Sequence, residues 1–511
     1  MPSQCVGSAW YNLGVDELNQ EHLDPGSEIS LETVKERSVR GVVVLTGRTF
    51  ILQVIGLVAQ LFLFAYLGKY EFGVFAIVSA IINFLVYFSD IGLAAALIQK
   101  KEKPTETDLR TTFTVQQILV LAIIAVVFIL APFFSQKYGL HADGRVLLYV
   151  LSFSLLFSSL KSIPSVLLER KLEFVKLVFP QILEQLVYNL TLVVFAMKGF
   201  GISSFSIAIA LRSIVGLVAI YILQPWVPGL AFSRKTLSGL FKFGIPYQVN
   251  TLLATFKDDG MTLILGGILG PDGIGILSFA QKIARYPLTF FMDTVTRVTF
   301  PAFSRMQDKG EDLARSVTRS IFFICFLVFP SLVGIAILTP VLVNVIPRYG
   351  QWNPAIIPVV FISINFIFAA ATTQLTNLLN AIGKIKITFY LMIMWTVLTW
   401  LIIPISSVKF GVNGAAAGYA LVGASSVIAI AIAKRFVNFS ITDSIIKPAL
   451  GALLMGVMLL IMRRVLPESV YSLEVLVVIG IVAYAVLMIA MMGVSLIEDA
   501  KRSFKTILGK S

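Results

Sequence analysis

Apolar residues in this chain do not alternate with polar ones; they gather into long runs. Fourteen runs, at 41–66, 73–98, 111–134, 145–168, 177–197, 204–224, 243–269, 274–300, 319–343, 355–381, 387–406, 414–433, 448–465 and 473–493, can each span a hydrocarbon layer, which takes about 20 apolar residues per helical crossing. Most are separated by only a few residues. Hydrocarbon offers no water to satisfy backbone N–H and C=O groups, so runs of this length predict helices. The predicted fold class is an all-α polytopic membrane protein with about 14 transmembrane helices.

Composition agrees with the pattern. The hydrophobic share is 57% and the mean hydropathy +0.88, above the roughly 45 to 50% of a soluble domain. A net charge of +13 raises the question of nucleic acid, but Lys and Arg sit mainly in short loops, with no basic arm and no zinc-ligand spacing. No nucleic-acid partner is expected. The basic residues instead set topology, because Lys and Arg are retained on the cytoplasmic side. Both termini are predicted to be cytoplasmic, with Arg463 and Arg464 as the chief exception. Cys5 and Cys325 differ too much in setting to pair, and neither a disulfide, a metal site nor a cofactor is expected. The first 40 residues lack the basic start and apolar core of a signal peptide. They read as a polar cytoplasmic leader whose stretch 31–40 is either a short interfacial helix or a solvated segment.

Two landmarks recur about 200 residues apart. Leu67-Gly68-Lys69-Tyr70-Glu71-Phe72-Gly73 and Leu269-Gly270-Pro271-Asp272-Gly273-Ile274-Gly275 both read L-G-x4-G between consecutive spans. Phe200-Gly201 before Ala210-Leu211 matches Phe410-Gly411 before Ala420-Leu421 at identical spacing. An even six spans per unit gives two lobes of equal orientation around a central cavity. The predicted organisation is a leader at 1–40, a first lobe at 41–224, an inter-lobe loop at 225–242, a second lobe at 243–433, two further helices at 434–493 and a cytoplasmic tail at 494–511. Glycine-bearing turns in one large bundle are the alternative.

About twelve charged residues fall well inside the spans, away from their ends. They are the cations Arg48, Lys161, Arg212, Lys257, Lys282, Arg285 and Arg297 and the carboxylates Asp90, Glu184, Asp258, Asp259 and Asp293, seven against five. A charge at mid-bilayer costs about 2.5 to 3.5 kcal/mol on insertion scales, so each needs a partner or a wet cavity. Arg48 and Asp90 lie at similar depths on adjacent spans, as do Lys161 and Glu184, so each pair is either a structural lock or part of a site. In the eighth span, Lys282, Arg285, Thr289, Asp293, Thr296 and Arg297 fall within an arc of about 120°. This polar stripe predicts a cavity wall; an ion network binding the seventh and eighth helices is the competing reading. The cationic excess suits an anionic ligand. Asp258, Asp259 and Asp293 are candidates to couple transport to an H+ or Na+ gradient, with Asp90 and Glu184 balancing charge.

The stretch YLGKYEFGVFAIVSAIINFLVYFSDIGLAAALIQKKE, Tyr66 to Glu102, resembles the polysaccharide flippases of the MOP exporter superfamily, the Wzx-type and related polysaccharide-transport proteins. KFGIPYQVN at Lys242 to Asn250, GILSFAQKIARYPLTFFMDTVTRVTFPAFSRMQ at Gly275 to Gln307 and LNAIGKIKI at Leu379 to Ile387 extend the resemblance over about residues 34 to 495. It implies a fold of two six-helix lobes with two more helices. The implied activity is transfer of a polyprenyl-diphosphate-linked oligosaccharide across a bacterial or archaeal cytoplasmic membrane for polysaccharide (O-antigen-type) biosynthesis. Membrane lipids and glycan polymerase machinery are the implied partners, and a monomer is expected. The polar leader departs from the family's usual short basic start.

On this reading headgroup phosphates bind among Lys257, Lys282, Arg285 and Arg212, with Arg48, Lys161 and Arg297 as further cations. A multidrug exporter of the same superfamily calls for a more acidic or apolar cavity. A membrane glycan polymerase or transferase calls for large aqueous loops, whereas His22 and His141 lie in a leader and a loop with no catalytic constellation. The expected class is therefore a transporter and not an enzyme.

Overall fold

The computed structural model describes residues 31–90, 92–100, 102–307 and 310–493. The leader before residue 31, the tail from 494, and the side chains of Asp90, Asp293 and Arg297 lie outside the described residues. Every regular element described is helical: α1 Leu31–Tyr66, α2 Lys69–Asp90, α3 Leu93–Gln99, α4 Glu106–Tyr138, α5 Ala142–Leu160, α6 Ser162–Arg170, α7 Phe174–Met197, α8 Ser203–Leu223, α9 Arg234–Arg305, α10 Gly310–Val345, α11 Ile356–Ala381, α12 Ile385–Ala424, α13 Val427–Phe436, α14 Lys447–Val465 and α15 Val470–Met492.

Among the described residues twelve helical stretches are long and apolar enough to cross a membrane. Two of them are interrupted internally by glycines in the left-handed region, Gly270 at φ 67° in α9 and Gly411 at φ 61° in α12. Each break reverses the chain at low cost because glycine has no Cβ. The division is compatible with the fourteen crossings read from hydropathy.

Several boundaries differ from that reading. The second run, expected over 73–98, stops as a helix at Asp90 and resumes at Leu93 after the left-handed Gly92. The fourth, expected over 145–168, breaks at Lys161, three residues before Pro164, whose nitrogen cannot donate to the preceding turn. The stretch 31–40 is neither a separate interfacial helix nor a loop but the start of the 36-residue α1. Half of the expected 225–242 loop is already helical, because Ser233 caps α9 by accepting from the Thr236 amide at 3.3 Å.

Helices α1, α2, α4, α5, α7 and α8 pack among themselves, and α9 to α13 form a second group, with α14 and α15 laid against α10. The most extensive contact between the groups joins α2 to α9. At one end of it stands the repeated L-G-x4-G motif. A Cβ on Gly73 would stand 1.7 Å from the Pro271 carbonyl oxygen, and one on Gly275 would stand 1.7 Å from that of Lys69. The two contacts are reciprocal, since Gly73 and Gly275 hold the same place in the repeat, as do Lys69 and Pro271.

The same end of the bundle is filled by rings. Trp352, on the short 3-10 turn Tyr349–Ala355, stacks on Phe279 at 4.4 Å and meets Phe64 at 5.4 Å. Its indole N–H donates to the Phe64 carbonyl at 2.7 Å, and the Tyr349 hydroxyl donates to that of Leu61 at 2.7 Å. The end of α1 is thereby satisfied inside a water-poor core, where a lone carbonyl would be costly. Alanine at both Gly73 and Gly275 is expected to force α2 and α9 apart. The yield of cross-linking between cysteines placed at Lys69 and Asp272, whose native side chains are 3.9 Å apart, should fall several-fold with a short thiol reagent; an unchanged yield would show that the approach tolerates side chains.

Candidate substrate cavity

The break between α5 and α6 decides where Lys161 points. Freed from a continuous helix, it reaches across to α7 and bonds Glu184 at 2.6 Å. Arg212 of α8 approaches the other carboxylate oxygen at 3.6 Å while lying 5.6 Å from the Tyr188 ring centroid. Glu184 fits because residue 216 is glycine: a Cβ there would lie 1.7 Å from Glu184 Oε1. The Lys161 and Glu184 side chains retain only 19% and 11% of their exposure.

These groups line a chamber of about 550 Å³ bounded by α1, α2 and α4 to α8. Arg48 enters from α1 with its Nε buried and lacking a hydrogen-bond partner among the described residues. Among the described residues the chamber therefore holds Arg48, Lys161 and Arg212 against one carboxylate, that of Glu184. Gln116, Gln181, Gln185 and several serines supply the remaining polar wall.

A second chamber of about 260 Å³ adjoins it, sharing Leu52 and Gln185. Lys282 of α9 lies in its wall, donating to Gln60 Oε1 at 3.2 Å with its Nζ 4.8 Å from the Phe72 ring centroid. No carboxylate stands within 4.0 Å of Lys282 among the described residues. Gln53, Asn189, Tyr188 and Tyr286 complete the polar lining, and Gln60 Nε2 is buried without a partner among the described residues.

A third space, about 520 Å³, is apolar. It lies between α10, α14 and α15 and is closed on one side by Ile283 and Phe291 of α9. Lys282 and Ile283 are neighbours in sequence but face different spaces, so α9 is the partition between a polar and an apolar compartment.

The predicted site residues separate into groups. Arg48, Lys161, Glu184 and Arg212 share the larger chamber and Lys282 the adjoining one. Lys257 instead pairs with its neighbour Asp258, and Asp259 faces Asn83 of α2. Arg285 is exposed and lines neither chamber. The polar stripe of the eighth run is divided: its Lys282, with the neighbouring Tyr286, faces the small chamber, whereas its Thr296, with the neighbouring Thr299, is hydrogen-bonded to Gln374 of α11, at 3.0 Å each. The chamber amides carry no charge and so stand outside the set of charged candidates. Their signal was present, since Gln181, Gln185 and Asn189 recur at four-residue steps and Gln53 and Gln60 at seven, each set on one helix face.

The family described as polysaccharide biosynthesis protein matches residues 66–357. The lipopolysaccharide biosynthesis protein WzxC of Escherichia coli (strain K12) is 25% identical over 76% of this chain and 79% of its own length. Among solved structures, the lipid II flippase MurJ in an inward closed conformation superposes with a TM-score of 0.73 at 16% identity, over 88% of this chain and 98% of that one. An inward-facing multidrug resistance MATE transporter of the MOP superfamily gives 0.58 at 14% identity, over 78% and 98%. These two likenesses show the fold.

Removing the Glu184 carboxylate should leave Lys161 and Arg212 without their acidic partner. Glu184→Gln is expected to cost about 3 kcal/mol, the low end for leaving a buried charge unpaired, because the group borders a cavity. Lys161→Met combined with Glu184→Leu should recover much of that loss. Thermal unfolding in detergent checks both, and equal stability of Glu184→Gln and the parent would show that the pair is not a lock.

Proposed function

The chain belongs to the polysaccharide biosynthesis protein family, and on that premise we propose that it moves polyprenyl-diphosphate-linked glycan units from the inner to the outer leaflet of a cytoplasmic membrane. The physical obstacle is a diphosphate and a sugar chain that hydrocarbon rejects, joined to a tail that it accepts. A protein solves this by giving the two parts separate paths. The observation that carries the reading is the partition along α9: Lys282, without a carboxylate partner among the described residues, faces the smaller polar chamber, and Ile283 beside it faces an apolar groove.

In this mechanism the tail lies in the groove between α10, α14 and α15, and the diphosphate is held at Lys282, with Arg285 one turn further on. Basic side chains attract phosphate strongly where screening is poor. The two groups of helices then alternate access, closing at the paired L-G-x4-G hairpins when the polar chambers open to the cytoplasm. With the termini cytoplasmic, those hairpins lie on the outer side. Asp258, Asp259 and Asp293 remain the candidates for ion coupling. A multidrug exporter is the second reading, favoured by the likeness in fold to the MATE transporter; a larger chamber with three cations and one carboxylate among the described residues suits a cationic drug poorly.

Lys282→Ala with Arg285→Ala is expected to reduce flipping of a lipid-linked oligosaccharide in reconstituted vesicles at least tenfold, and an unaltered rate would remove the phosphate site from α9. Gly334 faces open space in the apolar groove, so Gly334→Phe should fill it. Flipping of a full-length polyprenyl substrate should drop several-fold while a short-chain prenyl analogue is less affected; equal effects on both would argue against a tail in this groove.

A further inference from the structure

The spaces around α9 form a sequence of chemistries. Apolar groove, lone lysine, amide-and-aromatic chamber and cationic chamber follow one another, the last two joined through Leu52 and Gln185. In a lipid-linked glycan the diphosphate is attached directly to the tail and the first sugar directly to the diphosphate. With the tail in the groove and the phosphates at Lys282, as proposed above, the sugars must occupy what lies beyond.

The small chamber suits the first sugar. Amides of Gln53, Gln60 and Asn189 can exchange hydrogen bonds with hydroxyls, and Gln60 Nε2 is a buried donor with nothing to bond among the described residues. Aromatic rings, Phe72 and Tyr188 among them, offer flat surfaces for the apolar faces of a pyranose.

The larger chamber does not suit neutral sugars alone. Its lining comes from residues between Arg48 and Ile220, none shared with the tail groove. Within it Glu184 is already engaged by Lys161 at 2.6 Å, Arg212 is held only at 3.6 Å, and Arg48 has no carboxylate partner among the described residues. Two guanidinium groups thus stand in excess of what Glu184 neutralises. A planar guanidinium matches a carboxylate with two parallel hydrogen bonds, and an unpaired cation in this setting is otherwise a pure cost.

We infer that the larger chamber is a subsite for a sugar carboxylate, held by Arg48 and Arg212, and that the carried glycan bears an acidic residue such as a hexuronate within its first few sugars. This rests on the reading of the chain as a lipid-linked glycan flippase. Neutral glycans can enter, but they bring no carboxylate to Arg48 and leave Arg212 only its share of Glu184.

The test uses the intact protein in lipid nanodiscs and three probes: polyprenyl diphosphate alone, the same lipid carrying a neutral trisaccharide, and that trisaccharide with one hexose oxidised to a hexuronate. The unaltered protein should bind the acidic probe about tenfold more tightly than the neutral one, roughly 1.4 kcal/mol. Arg48→Gln and Arg212→Gln should each lower affinity for the acidic probe several-fold and for the other two by at most twofold. Equal affinity of the unaltered protein for acidic and neutral probes overturns the proposal, whatever the variants do. Parallel loss of the glycan-free probe in both variants also overturns it, by making the chamber the diphosphate site. Lys282→Gln separates the two readings: it should weaken all three probes, and no effect on any would defeat the headgroup assignment on α9 while leaving the carboxylate preference to be judged by the unaltered protein.

Discussion

The architecture depends on backbone approaching backbone where α2 crosses α9. A methyl group at Gly73 or Gly275 would overlap a carbonyl oxygen of the opposite hairpin, so the two groups of helices meet here only because neither has a side chain in the way. In lipid there is little hydrophobic force to draw helices together, and close packing of small residues supplies the association instead. The aromatic cluster around Trp352 then fills the space beside the contact. Held at this end, α2 and α9 can enclose chambers elsewhere along their length.

What those chambers contain follows from the cost of charge in a medium of low polarity. Around the chambers three solutions are found: an opposite charge, as with Lys161 and Glu184; an amide and a ring, as with Lys282; or a cavity wall, as with Arg48. Only the first makes a self-contained lock. The other two leave electrostatic capacity toward whatever enters, and they cluster on the side of α9 away from the apolar groove. The last two helices belong to the same scheme, since α14 and α15 wall the groove together with α10.

A likeness in fold extends over a lipid II flippase and a multidrug transporter, so the scaffold by itself does not choose a cargo. Choice lies in side chains that a shared fold leaves free to vary. Among the described residues, three cations around one carboxylate, beside an amide-rich chamber, offer charge and hydrogen bonds complementary to anionic and hydroxylated groups. In the proposed function the apolar groove takes the chain that never leaves hydrocarbon.

The sequence by itself determined that the chain is helical and lies in a membrane, because hydropathy compares a single segment with lipid and needs no knowledge of its neighbours. It also determined which charges required an explanation, and it exposed the repeated glycine motif whose two copies meet. It did not determine that Lys282 meets Gln60, 222 residues away, that Gly216 hollows a place for Glu184, or that the stripe on the eighth run divides between a chamber and α11. Those outcomes depend on the rotation and depth of each helix against others far along the chain. Pairing is a property of two surfaces brought together, and only the tertiary structure decided which surfaces those were.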